Sequence, residues 1–291
     1  MKKVLVTGGY SFIASYVIEE LKKQGYQVVT TARHTEPNDT LKDCIVYYGD
    51  MRDEAFIYSV VQKVDGVIHL AGLLGTSENM RFGKIMNEVN IGGALNVLDV
   101  VDKFQIPASF ISVGNHFENN PYSISKSTAE RYALCYAKNF GTKVNVTRTY
   151  DAIGPRQKWG KVNKILPTFI NKALKNEDIS VYGGRDKCSV IDMVYVGDVA
   201  KVLIEVLKNS ESEIRGEVYE CGSGIGYKVY DIAKIVINTC HSSSKIIEVP
   251  MRQGESEKAY VVATNKYPLP EYRSFESVLP ETIKYYRDLM K

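Results

Sequence analysis

The run Val4-Leu5-Val6-Thr7-Gly8-Gly9-Tyr10-Ser11-Phe12-Ile13-Ala14-Ser15 constrains the fold more than any other stretch of this chain. Val4–Val6 is a short apolar segment of strand type, and Thr7–Ser11 is small and glycine-rich. Ile13, Val17 and Leu21 then recur every four residues, the spacing of one buried helical stripe. Strand, glycine turn and helix in that order suit the pyrophosphate of a dinucleotide. The backbone comes close where there is no Cβ, and free N–H groups at the helix start face the negative charge. In this reading Gly8 makes the turn, Ser11 sits where the phosphates come closest, and Ala14 permits tight helix–sheet packing. Tyr10, Phe12 and Ile13 complete the cofactor contacts of the turn.

Strand-like and helix-like segments alternate through the first half of the chain. Strands are expected at Gln27–Thr31, Ile45–Tyr48, Gly66–Leu70, Ala108–Val113 and Lys143–Tyr150, with amphipathic stretches between them, notably Lys84–Phe104 and Pro121–Phe140. That pattern predicts an α/β fold, a Rossmann-type doubly wound parallel sheet with helices on both faces. After about Gly154 the chain is richer in turns, with Gly-Pro at 154–155, Gly-Gly at 183–184 and Gly-Ser-Gly at 222–224. The expected division is a dinucleotide-binding domain over 1–160 and a smaller, mainly substrate-binding C-terminal lobe over 161–291. A strand near 217–221 is expected to rejoin the main sheet.

Composition excludes several classes of partner. The formal charge of +3 is small and spread along 291 residues, which gives no reason to expect nucleic acid or a membrane surface. No apolar run approaches membrane-spanning length. The five cysteines (44, 135, 188, 221 and 240) are far apart with no CxxC, and the four histidines (34, 69, 116 and 241) lack metal-ligand spacing. These features fit a reducing cytosol, no metal site, and a soluble cytoplasmic protein that begins directly on a strand, without a signal peptide.

Two further stretches bear on chemistry. The second strand ends Val28-Val29-Thr30-Thr31-Ala32-Arg33-His34, with no carboxylate to hold a ribose 2′-OH and a guanidinium just beyond. Arg33 suits a 2′-phosphate, which favours NADP(H) over NAD(H). Asp50, followed by Met51, comes after the third strand, where an Asp side chain can bond the adenine amino group or cap a turn. Tyr122-Ser123-Ile124-Ser125-Lys126 then heads a helix, and spacing of i and i+4 puts Tyr122 and Lys126 on one face. A lysine ammonium beside the phenol, together with an oxidised nicotinamide, is expected to lower the tyrosine pKa from near 10. Tyr122 can then exchange a proton with a substrate hydroxyl while hydride moves.

With these motifs the chain resembles the extended short-chain dehydrogenase/reductases, the NAD(P)-dependent epimerase/dehydratase group that acts on nucleotide-activated sugars. The resemblance runs through Thr7–Ser15, Gly49-Asp50, His69-Leu70-Ala71-Gly72, Asn87-Glu88-Val89-Asn90 and Tyr122/Lys126. It continues through Arg148–Gln157 and Tyr195–Ala200 to Met251-Arg252-Gln253-Gly254-Glu255. It implies that Leu70, Ala71, Gly72 and Asn90 join the cofactor contacts. It also implies a nucleotide sugar held by the C-terminal lobe, and a homodimer formed by Lys84–Phe104 and Pro121–Phe140 as a four-helix bundle.

Departures from the family pattern fall mostly on the substrate side. Ser11 and Ala14 replace glycines and are small enough to be tolerated. The catalytic Ser or Thr expected after the fifth strand falls on Val113, which cannot donate. Ser112 is the first substitute, with Asn115 or His116 as others. Asp151 stands where asparagine is usual, and an anion facing a diphosphate is unfavourable unless a cation lies between them. Ile191 replaces a phosphate-binding arginine; Arg252 is retained, and Arg185 or Lys187 could compensate. Gly114-Asn115 at the family's Asp-Glu position argues against dehydration. The resulting expectation is an NADP(H)-dependent reductase acting on a keto group of a nucleotide-activated (deoxy)sugar. The alternatives are a 4-epimerase with tightly bound NAD and a cofactor-sensing binding protein with a degenerate active site.

Overall fold

The first apolar run of the chain becomes the middle of a parallel sheet. The structure is a computed structural model that describes residues 2–35, 39–160, 162–212 and 214–291. In its first half the strands are β1 (Lys3–Thr7), β2 (Gln27–Ala32), β3 (Ile45–Tyr48), β4 (Gly66–His69), β5 (Ala108–Val113) and β6 (Val144–Thr149). Seven more follow: β7 (Asp151–Ile153), β8 (Ile179–Tyr182), β9 (Val190–Tyr195), β10 (Val218–Cys221), β11 (Gly226–Lys228), β12 (Ile246–Val249) and β13 (Tyr260–Val261). The helices are α1 (Phe12–Lys23), α2 (Glu54–Val61), α3 (Gly83–Met86), α4 (Gly93–Phe104) and α5 (Pro121–Phe140). Later come α6 (Ile165–Leu174), α7 (Gly184–Lys187), α8 (Val196–Glu211), α9 (Val229–Cys240) and α10 (Phe275–Leu289).

The main sheet has the order β10-β6-β5-β4-β1-β2-β3, and every pairing in it is parallel. This is the expected doubly wound sheet. Its strand order reverses between β1 and β4, so the crevice for a ligand opens beyond the carboxyl ends of these two strands. Side chains alternate between faces. Leu5, Val67 and Phe110 pack with α2, α4 and α5, whereas Val4, Val6 and Ile68 pack with α1 and α8. A third core joins α6, α9 and α10 to β8 and β9. β7 extends from β6 to pair with β9, which also carries β11 and β13.

Local chemistry fixes the helix that carries the Tyr/Lys pair. Asn120 caps α5 by accepting from the Ser123 N–H at 2.9 Å, Pro121 occupies the first turn, and Gly141 ends the helix at φ 73°. The stretch before α4 is less regular: Asn87–Gly92 is π-helical and puts Asn90 at 2% exposure.

Candidate functional site

Building outward from β1, the turn at Thr7–Ser11 interlocks with the loop after β4. Thr7 Oγ accepts from the Leu70 and Ala71 N–H groups, both at 3.0 Å, and lies 3.0 Å from His69 Nδ1. With two donors already on its oxygen, the Thr7 hydroxyl donates to Nδ1, which leaves the imidazole proton on Nε2. Burial, reinforced by the Lys126 charge, holds the His69 pKa down at about 3, so the ring stays neutral. Gly8 has φ 76°, and a Cβ there would stand 3.2 Å from Ala71 Cα. Gly9 is equally constrained, because its Cβ would overlap Thr30 Oγ. Ser11 caps α1 by accepting from Ala14 N–H at 3.3 Å, and Ala14 is fully buried. Phe12 and Ile13 begin the helix, where N–H groups have no acceptor within it. The close-approach glycines and these amides fit a dinucleotide pyrophosphate.

Beyond β2, Arg33 is exposed and near enough to Asp50 to favour its charged form. Asp50 is held mainly by Arg52, through Nε at 3.0 Å and Nη2 at 2.8 Å, which brings its pKa down to about 2. Tyr10 lies beside Tyr48 at the end of β3 and raises the pKa of its phenol. Met51 is buried, and its carbonyl accepts from Asn96 Nδ2 at 2.8 Å.

Asn90 ties the cofactor side to α5. Its Oδ1 accepts from Leu73 N–H at 2.7 Å, and its Nδ2 donates to Leu73 O at 3.0 Å and Ser125 Oγ at 2.9 Å. A Cβ on Gly72 would press to 2.9 Å from Asn90 Oδ1. Lys126 is buried one turn along α5 from Tyr122, and burial lowers its pKa to about 8 although Glu130 opposes the shift. In the protein alone the pKa of the Tyr122 phenol is raised rather than lowered. Burial pushes it up to about 12, with the Asp151 carboxylate adding in the same sense. Desolvation of the phenolate governs the shift.

β5 runs unbroken to Val113, so Ser112 and Val113 lie on opposite faces. Ser112 shares the α5-covered face with Phe110; its hydroxyl is buried with no hydrogen-bond partner among the described residues. Asn115 and His116 follow in the partly exposed loop, where His116 Nδ1 lies 3.2 Å from Gly114 O.

On the substrate side, Asp151 opens β7 and is exposed, with its carboxyl surrounded by enough protein to lose much of its hydration. This enclosure raises its carboxyl pKa to about 6; Lys164 opposes the shift, while Asp192 and Glu255 add to it. Lys164 precedes α6 and also feels Glu78 and Arg252. Arg252 pairs with Glu255 through Nε at 3.0 Å and approaches Glu78 at 3.6 Å, and Thr76 Oγ donates to Glu255 at 2.7 Å. Tyr122, Asp151 and Arg252 therefore belong to one charged cluster. Arg185 has different neighbours: it donates to the Tyr230 hydroxyl at 3.2 Å, and its backbone N–H donates to Glu248 at 3.1 Å. Lys187 pairs with Glu257 at 3.1 Å, and Ile191 is buried in the third core. Asp192 and Asp198 are structural: Asp192 accepts from Ser223, Gly224 and Ala263, and Asp198 from Arg273 and Lys201.

Three residues stand out that the sequence reading passed over. Gly9 is adjacent to a glycine already chosen, and a close approach to Thr30 leaves no mark in the sequence. Thr7 was read only as a small turn residue. Lys164 lies in the predicted turn-rich region with no motif of its own, and only its neighbours single it out.

Known proteins share this fold. The chain is 27% identical to a putative UDP-glucose 4-epimerase of Methanocaldococcus jannaschii, over 89% of each chain. It is 26% identical to UDP-N-acetyl-alpha-D-glucosaminuronate decarboxylase of Bacillus cytotoxicus, over 99% of this chain and 98% of the relative. A crystal structure of Thermus thermophilus UDP-glucose 4-epimerase in complex with NAD superposes with a TM-score of 0.86 at 24% identity, over 98% of this chain and 99% of that one. The model of the NAD dependent epimerase/dehydratase family matches residues 4–222. The chain belongs to the NAD-dependent epimerase/dehydratase family.

Proposed function

We propose that the protein modifies a nucleotide-activated sugar by exchanging hydride with a nicotinamide cofactor at a carbinol or keto carbon, with Tyr122 as proton carrier. The observation that carries this reading is the continuity of the site. Asn90 bonds both the loop beside the nucleotide turn and Ser125 of α5, on the helix that bears Tyr122 and Lys126. The cofactor, when bound, supplies a hydride acceptor or donor and, in its oxidised form, a positive ring. Gly8, Ser11 and the α1 amides would hold its diphosphate. Leu70, Ala71 and Gly72 would line its path, and Lys126 would bond the ribose. Tyr122 would take the hydroxyl proton of the sugar during oxidation and return it on reduction. Its phenol is high in the protein alone, so the cofactor's positive charge is what would bring it into working range. For the second hydrogen bond to the substrate oxygen, Asn115 and His116 in the partly exposed loop come before Ser112, whose buried hydroxyl lies on the face opposite Val113.

The cofactor separates two forms of the reaction. Arg33, exposed beyond β2, favours NADP(H) and a net reduction of a keto sugar. The named epimerases among the relatives favour retained NAD and two opposite hydride transfers. Mass spectrometry of small molecules released on denaturation distinguishes them. Stoichiometric NAD sinks the NADP assignment and favours the epimerase, whereas an empty site that binds NADPH in titration favours the reductase. Tyr122→Phe should abolish turnover and spare cofactor binding. Turnover unchanged in that variant would refute the proton-carrier role, whereas a wild-type chain that binds cofactor without any turnover would leave a cofactor-sensing protein.

A further inference from the structure

Resting on the nucleotide-sugar reading, the identity of the cations that meet the diphosphate is open, because the position where the family carries an arginine is Ile191. Its side chain is 5% exposed and packed in the third core, so no small rearrangement turns that site toward a ligand. Arg185 and Lys187 have partners elsewhere, in Tyr230 and Glu248 for the first and Glu257 for the second. Lys164 is differently placed. It stands between Asp151, Glu78 and Arg252, yet its ammonium makes no hydrogen bond or ion pair within contact distance among the described residues, and neither does the Asp151 carboxylate. The adjacent Asn163 N–H donates to Glu78 at 3.1 Å, and Glu78 lies 3.6 Å from Arg252, so this segment stands beside Arg252. Lys164 also occupies the N-cap of the ten-residue helix α6 and makes no side-chain cap, so the Ile165 and Leu166 amides lack intrahelical acceptors on the same side.

We propose that Lys164 and Arg252 together bind the diphosphate of the substrate, and that Asp151 is the counter-ion of Lys164 which the substrate replaces. Arg252 makes a parallel exchange, since Glu255 and Glu78 hold it in the free protein. The charged and titratable groups facing Asp151 are Tyr122 from α5, Lys164 before α6, Asp192 from β9 and Glu255 from the 251–256 loop. Asp192 is engaged by three backbone N–H groups and a serine hydroxyl. An ionised Asp151 both competes for Lys164 and repels a dianion, so binding should weaken as pH rises through about 6. Burial also lowers the Lys164 pKa, which acts in the same direction at higher pH.

The test is calorimetric titration of the full chain, supplied with NAD, with UDP-glucose and with dTDP-glucose, whose diphosphates do not titrate between pH 5.5 and 8. Lys164→Met should weaken binding of the sugar nucleotide at least about tenfold with NAD binding unchanged, and Lys164→Arg should restore most of it. Asp151→Asn should tighten binding several-fold at pH 8 and flatten its pH dependence. Arg185→Ala should have no effect. Wild-type affinity in Lys164→Met, or a loss in Arg185→Ala instead, would overturn the assignment and leave the nucleotide-sugar reading standing. Failure of the wild-type chain to bind either nucleotide sugar would overturn that reading and this inference with it.

Discussion

Replacing Thr7 by valine tests whether one hydroxyl holds the nucleotide turn against the loop after β4. Valine keeps the volume, so no cavity opens, and the change isolates three hydrogen bonds. The His69 acceptor is 2% exposed and has no route to water. The Leu70 and Ala71 amides are partly buried, so water can replace part of what they lose. An unpaired buried polar group costs about 1–3 kcal/mol. Taking the upper part of that range for His69 and the lower part for each amide gives a loss of about 3–5 kcal/mol. That is a large share of the roughly 5–15 kcal/mol that holds a folded domain together. Urea unfolding should show a lower midpoint with an unchanged slope. Calorimetry should show weaker NAD binding, because Ala71 packs directly on Gly8. Thr7→Ser keeps the hydroxyl and removes one methyl, so it should lie within about 1.5 kcal/mol of wild type. A Thr7→Val protein within 1 kcal/mol of wild type would refute the reasoning, and so would a serine variant as damaged as the valine.

Other perturbations follow from the same geometry. Gly9→Ala drives a Cβ into Thr30, which is fully buried and donates to Val6 O at 2.7 Å. Overpacking of this kind costs about 1–3 kcal/mol, and Thr30→Ala in the same chain should recover part of the lost thermal midpoint. Asp151 has a folded-state pKa raised to about 6, above its ordinary value, so the native chain binds the extra proton and its stability falls as pH rises from about 4 to 6. Asp151→Asn should therefore unfold at higher urea than wild type at pH 8, with the gap closing by pH 4; equal midpoints at both pH values would contradict the enclosed carboxyl. Ile124 and Tyr132 are 49% and 41% exposed on α5, and Phe104 is 41% exposed at the end of α4. If these helices pair two copies, sedimentation should give twice the 32.7 kDa of one chain, and Ile124→Asp with Tyr132→Asp should halve it.

What the sequence disclosed and what it hid divide along physical lines. The parallel sheet was legible because strands covered on both faces are apolar throughout, and the alternation with amphipathic helices admits few architectures. Pro121–Phe140 matches its helix at both ends, since a proline in the first turn and a glycine at the C-cap are local signals. Asn87–Gly92 gave no such signal: over six residues a π-helical turn and an α-helical turn carry the same apolar pattern, and only the bonds of Asn90 separate them. The lowered Tyr122 pKa was argued from i, i+4 spacing and the charge of a bound oxidised nicotinamide. Spacing shows which charge is near and says nothing of how much water remains, and here desolvation governs. Lys164 was hidden for a related reason. A lysine in a lysine-rich chain carries no mark, and its significance lies in Glu78, Asp151 and Arg252, which arrive from three separate segments. The sequence nevertheless held half of that argument. An aspartate where a diphosphate should lie demands a nearby cation, and burial of Ile191 together with the placement of Arg185 and Lys187 among other neighbours narrows that cation to Lys164 and Arg252.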